Sequence, residues 1–386
     1  MWDLAIVGAG PAGSATALGA LHANPGLSVL LLDRADFPRD KSCGDGIAPH
    51  ALDVLAGVGV AGLFDDWKPV TQLHLSRGDR TVERTMRRPA FVVPRTVFDA
   101  RLVERATAAG AELTKHRVRS LDPVAQGVLL DGRFHARVVV GADGAHSMVR
   151  RAVGLRRARH TAIAVRGYAP VPSSRRGTQA MVFGRHHQPS YAWSFDRGDG
   201  LANVGYGELL RPDRPTPSRR WLLDQLADLL PGSTTSATDW RGHHLPLSSW
   251  TWQQPDGRCL LVGDAANLIN PLTGEGIYYA LATGVLAGRA AVDAIQAEHA
   301  AGAGARHRRS VRSLLAGHLR HTALASRLAA QPAVLDAGVR AAERDQLVFD
   351  DVVELGLGRG RITPRLLGGL AAGLPRSAAH AAWAGG

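Results

Sequence analysis

Cysteine is close to absent: Cys43 and Cys259 are the only two in 386 residues. Two thiols cannot build a disulfide scaffold, and their scarcity fits a reducing compartment, so a cytoplasmic location is expected. Lysine is nearly missing as well. Only Lys41, Lys68 and Lys115 stand among 46 basic residues, so a net charge of +12 against 34 acids is carried almost wholly by arginine. Aromatics make up 5% of the chain. Nucleic-acid binders usually mix both bases and cluster them with aromatics, so the charge reads as compositional bias and no nucleic-acid partner is expected. No uninterrupted apolar run reaches the roughly 18 residues of a membrane span. The start Met1-Trp2-Asp3 lacks the basic-then-apolar layout of a signal peptide. Peripheral contact with a membrane surface stays open.

What is present can build a core. The chain is 45% hydrophobic and 21% charged, and its length allows two domains or one large nucleotide-binding domain with insertions. Residues 3–8 and 28–33 read as short buried parallel strands flanking a small-residue helix at 11–23, a strand–helix–strand unit. Helices are expected at 47–56, 96–109 and 275–297, and buried strands at 137–140 and 259–262. Residues 70–93 and about 160–254 are strand-rich, with one helix near 218–229. The chain after 305 reads as helical, with a weak tail after Pro375. The expected fold is α/β with an α+β second layer. A discontinuous Rossmann-like nucleotide-binding domain (1–69, 94–160 and 255–300) carries an inserted β-rich domain (70–93 and 161–254), and C-terminal helices follow (301–386).

Three strand-to-turn motifs carry the chemistry. The first is Gly8-Ala9-Gly10-Pro11-Ala12-Gly13. Gly8 permits a tight turn, Gly10 lets backbone N–H groups approach a diphosphate, and Gly13 lets the helix pack close on the strand. The helix N-terminus then presents its positive end to the phosphates. Asp33, 20 residues beyond Gly13 at the end of the second strand, is placed to accept ribose hydroxyls, and an acid there favours an unphosphorylated ribose. Residues 57–62 match the same glycine pattern but follow a helix and read as a helix-ending loop. The second motif begins Gly141-Ala142-Asp143-Gly144. The third begins Gly263-Asp264-Ala265-Ala266 and continues Asn270-Pro271-Leu272-Thr273-Gly274-Glu275-Gly276-Ile277.

In this order and spacing the three motifs resemble the FAD fingerprints of flavoproteins with the para-hydroxybenzoate hydroxylase fold. The resemblance implies that Asp143-Gly144 lies near the diphosphate and the nicotinamide path. It implies that Gly263-Asp264 contacts the ribityl chain and that Pro271 to Ile277, through Gly274, Glu275 and Gly276, faces the flavin ring. A helix start there suits the anionic reduced flavin. It also implies that Arg95, at a helix start after Pro94, contacts FAD. The plain alternative for Arg95 is a surface helix arginine. Arg34 is placed to stack on adenine or touch the diphosphate.

A narrower resemblance is to the geranylgeranyl reductase family. It rests on Phe37-Pro38-Arg39-Asp40-Lys41-Ser42-Cys43-Gly44-Asp45-Gly46, on Tyr191-Ala192-Trp193-Ser194-Phe195, on Asn203-Val204-Gly205-Tyr206-Gly207 and on Asn270 to Gly276. Family members reduce isolated double bonds of isoprenoid chains, and relatives in natural-product pathways include FAD monooxygenases. The family proline after the phenylalanine is Asp196 here, and Pro189 stands one residue too close to Tyr191. In reductase relatives the cysteine corresponding to Cys43 lies near the flavin, next to Gly44. It is a candidate catalytic and cofactor-contacting residue, or a small residue fitting a tight loop. Cys259 sits in a core strand and reads as structural. Tyr191, Trp193 and Phe195 alternate at period two and share one strand face, a wall for an apolar substrate or ordinary sheet core.

The pairs His186-His187 and His243-His244 lack ligand spacing, so no metal is expected. The runs Arg150-Arg151, Arg156-Arg157 and Arg306–Arg309 read as solvated faces, or as contacts for a substrate diphosphate or an anionic membrane. The expectation is an FAD-dependent oxidoreductase that reduces a C=C bond of an apolar, isoprenoid-like substrate by hydride transfer from reduced FAD. No second strand–glycine-loop–helix unit exists, so NAD(P)H or another reductant is expected to bind only transiently. The alternatives are a monooxygenase (hydroxylase or epoxidase) that uses a flavin C4a-hydroperoxide in secondary metabolism, and a flavin-binding protein without catalysis. The oligomeric state is left open.

Overall fold

The computed structural model describes residues 1–185, 188–249 and 252–374. His186-His187 and the tail from residue 375 lie outside the described residues. The chain begins with β1 (Trp2–Val7), α1 (Pro11–Ala23), β2 (Val29–Asp33), β3 (Gly46–Ile47) and α2 (Pro49–Ala56). There follow β4 (Val70–Arg77), β5 (Arg80–Val92), α3 (Arg95–Ala108), β6 (Glu112–Lys115), β7 (Leu121–Val124), β8 (Gly127–Leu130), β9 (Phe134–Gly141) and α4 (Met148–Ala152). The second half holds β10 (Thr161–Pro170), β11 (Thr178–Phe183), β12 (Ser190–Asp196), β13 (Leu201–Leu209), α5 (Arg219–Leu229), β14 (Thr238–Pro246) and β15 (Cys259–Leu261). It closes with α6 (Ile277–Gln296), α7 (Ala303–Ala329), α8 (Pro332–Arg344), α9 (Gln346–Leu357) and α10 (Pro364–Gly373).

The strands form two sheets. The first runs β6-β2-β1-β9-β8-β7, with β15 also paired to β9. Its β6, β2, β1, β9 and β15 are parallel, and Leu4 to Val7 and all of β2 are buried, as expected of strands covered on both faces. Register aligns their carboxyl ends: Val7 pairs with Leu32 and Gly141, and Gly141 pairs with Leu261. All three glycine-rich turns and Asp33 therefore leave one edge, where open α/β sheets bind ligands.

The second sheet runs β14-β10-β13-β12-β11-β4-β5-β3. The hairpin of residues 70–92 joins it through a parallel pairing of β4 with β11. The short β3, which follows the Cys43 loop, pairs with β5 at its edge. The loop between β2 and β3 thus starts at one sheet and ends in the other.

Small residues set how tightly α1 and α6 cross. A Cβ on Gly284 would stand 2.4 Å from the Ala12 carbonyl oxygen, and one on Gly288 would stand 2.3 Å from that of Thr16. The helices touch backbone to backbone, which only glycine allows at these positions. The N-termini of α1 and α6 consequently open on the same space. No described helix is long and apolar enough to cross a membrane.

Candidate active site

A single long cavity of about 1020 Å³ lies between the carboxyl edge of the first sheet and the inner face of the second. That is at the upper end of the usual range for ligand cavities, about 300–1,000 Å³. Its first part is a cradle. Gly8 turns at φ +103°, and a Cβ there would meet the Ala142 carbonyl oxygen at 2.4 Å. Gly10 carries no side chain to cap α1, Pro11 follows, and no acid stands in the first turn. The helix start is left to an anionic partner. Arg39 and Arg95 flank it: a Cβ on Gly10 would stand 3.1 Å from the guanidinium of Arg39 and 4.0 Å from that of Arg95.

Gly8, Gly10, Pro11, Ala12, Asp33 and the exposed Arg34 all line the cavity. Asp33 accepts the Ala9 N–H at 2.8 Å and the Ala35 N–H at 2.9 Å, which fixes its carboxylate at the rim. Gly13 stands behind the wall, where a Cβ would overlap the Gly8 carbonyl oxygen at 1.8 Å. It spaces helix from strand. Gly263 is likewise behind the wall, its N–H donating to Thr283 at 3.0 Å.

Arg95 is not a surface arginine. It is 3% exposed and donates to both oxygens of buried Asp99, at 2.6 and 2.8 Å. Burial opposes its charge, but Asp99 outweighs that and its pKa is raised. Arg39 adds a second cation 3.3 Å from Asp99. Asp143 and Gly144 line the cavity. One Asp143 oxygen caps α4 through the N–H groups of Met148 and Val149, and the other is buried without a hydrogen-bond partner. Such an oxygen can accept a ligand hydroxyl. Asp264 also lines the cavity and pairs with Lys41 at 3.1 Å. Burial pushes against its charged form, but the Lys41 ammonium prevails and holds its pKa below the ordinary value.

The expectation of a solvated face fails at Arg150. It is 1% exposed and donates to the carbonyls of Ala145 at 2.7 Å and Ala265 at 3.0 Å. It is a strut between the second and third motifs, spending its charge on orphan loop carbonyls. His243 lines the cavity with its ring 6.0 Å from that of His146. Burial and the nearby Lys41 lower its pKa to about 4, so it is neutral near pH 7. Among the described residues, no three His, Cys, Asp or Glu side chains gather in a way that could hold a metal.

The loop of the third motif supplies the floor. Pro271, Gly274, Glu275, Gly276 and Ile277 all line the cavity. The C-terminal helices fasten this loop. Asn270 donates to the carbonyls of Leu355 and Gly356 at 3.1 Å each, Thr273 to Gly356 at 2.7 Å, and Ser326 to Pro271 at 2.8 Å. Leu357, at the end of α9, reaches the cavity itself. Loop-to-helix carbonyl contacts carry no periodic signal, so this role of the helices is not legible in the sequence.

The second part of the cavity is apolar. Tyr191, Trp193 and Phe195 line it from β12, with successive ring centroids 5.8 and 6.4 Å apart, joined by Met181, Leu245 and Leu247. Tyr191 and Phe195 also border the core shared with α8 and α9, so wall and core are one surface. Cys43 and Gly44 stand opposite, and a Cβ on Gly44 would lie 3.5 Å from the Phe195 ring. Burial pushes the Cys43 thiol up, so it stays protonated near neutral pH. Asp196 is outside the wall. It accepts the N–H groups of Gly177 at 2.6 Å and Gly198 at 2.8 Å, so its departure from the family proline serves a turn.

Fold and site together define an FAD-dependent oxidoreductase of the two-sheet kind. A family model described as an FAD binding domain matches residues 1–296. The chain is 35% identical over 323 residues to a menaquinone reductase of Mycolicibacterium smegmatis, covering 74% of this chain and 75% of that one. It is 32% identical to a digeranylgeranylglycerophospholipid reductase of Methanopyrus kandleri, covering 76% and 78%. A solved geranylgeranyl bacteriochlorophyll reductase-like protein of Thermoplasma acidophilum shares the fold, with a TM-score of 0.80 at 19% identity over 98% of both chains. The chain belongs to the geranylgeranyl reductase family of FAD-dependent oxidoreductases.

Proposed function

We propose that the protein reduces a carbon–carbon double bond in an apolar, isoprenoid-type chain. The observation that carries this reading is the continuity of one cavity from the glycine cradle to the Tyr191–Trp193–Phe195 wall. The names of the relatives support it: menaquinone and a digeranylgeranyl lipid both carry prenyl chains.

In this reading the α1 start, with Gly8, Gly10, Pro11 and Ala12, holds the FAD diphosphate, and Gly13 lets the helix come close enough to do so. Asp33 accepts the adenosine ribose hydroxyls, and Arg34 covers the adenine side. Arg95, Asp143 and Gly144 flank the diphosphate, Gly263 and Asp264 the ribityl chain, and the loop from Pro271 to Ile277 the flavin ring. Bound reduced FAD supplies a hydride equivalent. Cys43 and Gly44 press the flavin side of the cavity against the aromatic wall, with Cys43 as a neutral thiol. The wall excludes water and aligns the alkene. NAD(P)H or another reductant visits the flavin transiently. A prenyl substrate reaches the cavity by peripheral contact of the protein with a lipid surface.

The test is anaerobic. Holoenzyme reduced under argon and mixed with a geranylgeranyl lipid, which carries alkenes but no reducible quinone ring, is expected to regain its oxidised flavin absorbance. Absorbance that returns only when air is admitted would argue for oxygen as the true acceptor and overturn the reading.

A further inference from the structure

We propose that Glu275 is the residue that delivers the proton in alkene reduction. This assignment rests on the alkene-reductase reading above. Cys43, Tyr191 and Glu275 all line the cavity and lie near enough to act on one another's charge, and a Cβ on Gly274, next to Glu275, would stand 3.7 Å from the Tyr191 hydroxyl. The Tyr191 hydroxyl is committed, donating to the Thr273 carbonyl oxygen. Burial and the nearby Glu275 push its pKa far up, so it is a poor acid. Burial likewise raises the Cys43 thiol, from a value already above neutrality.

Glu275 differs. It precedes α6, and one of its oxygens accepts the Tyr278 N–H at 2.8 Å, which holds the side chain in one orientation. The titratable groups it acts on come from three elements, namely Cys43 beside β3, Tyr191 on β12 and Tyr279 on α6, and none is a cation. With no ion-pair partner among the described residues, burial dominates over the Tyr278 and Ile277 N–H groups and pushes its carboxyl up to about 7. An acid with a pKa near the working pH is the most effective donor.

The step balances. One alkene carbon gains a hydrogen with two electrons from anionic reduced flavin, and the other gains the Glu275 proton. The alkene π bond, one flavin N–H bond and the Glu275 O–H bond break, and two C–H bonds form. The flavin leaves oxidised, Glu275 leaves as carboxylate, and water restores its proton.

The test uses the full-length holoenzyme and three variants, Glu275→Gln, Glu275→Asp and Cys43→Ser, with a geranylgeranyl lipid, which has alkenes and no quinone ring, as probe. Wild type is expected to lose single-turnover rate as pH rises through about 7. Glu275→Gln is expected to lose roughly 100-fold or more at pH 6 and to show no such limb. Glu275→Asp keeps the limb at a lower rate, and Cys43→Ser keeps it too. Independently of turnover, infrared difference spectra of the substrate-free protein should show a protonated carboxyl band titrating near pH 7 in wild type and missing in Glu275→Gln. A limb that survives in Glu275→Gln, or that vanishes in Cys43→Ser, overturns the proton role and leaves the reductase reading standing. A wild type that reduces no alkene overturns both.

Discussion

The side-chain oxygen of Asn203 accepts the indole N–H of Trp193 at 2.8 Å. The amide nitrogen of the same Asn203 donates to the Cys43 carbonyl oxygen and to Asp45, each at 2.8 Å. One buried amide therefore joins the aromatic wall to the Cys43 loop. Asp45 is itself held by Tyr168 at 2.7 Å and sits at φ +60°, in the left-handed region that favours glycine. Arg166, 1% exposed, pairs with Asp40 midway along the same loop. The second half of the loop between the two sheets is thus pinned from the second sheet at Asp40, Cys43 and Asp45.

Asn203→Leu removes all three bonds and leaves the Trp193 N–H and the Cys43 carbonyl oxygen without these partners, while Asp45 keeps its bond from Tyr168. At about 1–3 kcal/mol for each unsatisfied group, a loss of roughly 2–4 kcal/mol is expected. Denaturant unfolding measures it. The same variant should retain FAD more weakly, because the Cys43 loop loses its tie. A change under about 0.5 kcal/mol would show that the clamp does not hold the loop.

Gly284→Val places methyls where the Ala12 carbonyl now sits 2.4 Å from the built Cβ position. Pushing α6 off α1 costs about 1–3 kcal/mol of overpacking and separates two helix starts that open on one cavity. The expected result is a folded but colourless protein after purification. Normal flavin content would contradict the account of how α1 and α6 shape the cradle.

Arg95 and Asp99 are expected to behave as a unit. Arg95→Leu strands a buried carboxylate and should cost about 3–5 kcal/mol, less whatever Arg39 recovers at 3.3 Å. Arg95→Leu with Asp99→Leu should regain much of that stability while still binding FAD poorly. Unfolding curves and flavin titrations separate the two effects. Full FAD affinity in the double variant would remove Arg95 from the cofactor site.

Buried His307 and half-buried Glu275 give stability opposite pH dependences. His307 is fully buried with its Nε2 on the Leu261 carbonyl at 3.0 Å, and burial lowers its pKa to about 4. The unfolded imidazole titrates near 6.5, so the unfolded chain binds more protons and stability falls as pH drops from about 6.5 to 4. Glu275 is raised by burial to about 7 from an ordinary 4.5. The folded state then binds more protons, and stability falls as pH rises from about 4.5 to 7. Urea midpoints across that range should show a flatter acid side in His307→Gln and a flatter alkaline side in Glu275→Gln. Curves parallel to wild type would contradict both assignments.

Much of the cofactor half was legible because its signals are local. Short apolar runs closed by glycine at Gly8, Gly141 and Gly263 mark strand-to-turn junctions, and register then brings them to one edge. Period two in Tyr191, Trp193 and Phe195 foretold a shared face. What escaped notice depends on partners far apart in sequence. Arg150 looked like surface charge, yet it serves the carbonyls of Ala145 and Ala265. Asn203 stood in a recognisable motif without a visible job, because its three partners lie on two other segments. The α9 carbonyls that receive Asn270 and Thr273 come from a helix whose pattern shows only amphipathicity.

The central claim is that this cavity joins a reduced flavin to a prenyl double bond. The most direct measurement is the product mass from a geranylgeranyl lipid after a single turnover of the reduced holoenzyme under argon. A gain of two hydrogens on the prenyl chain is the predicted result. A substrate left unchanged under argon but gaining an oxygen atom in air would contradict it.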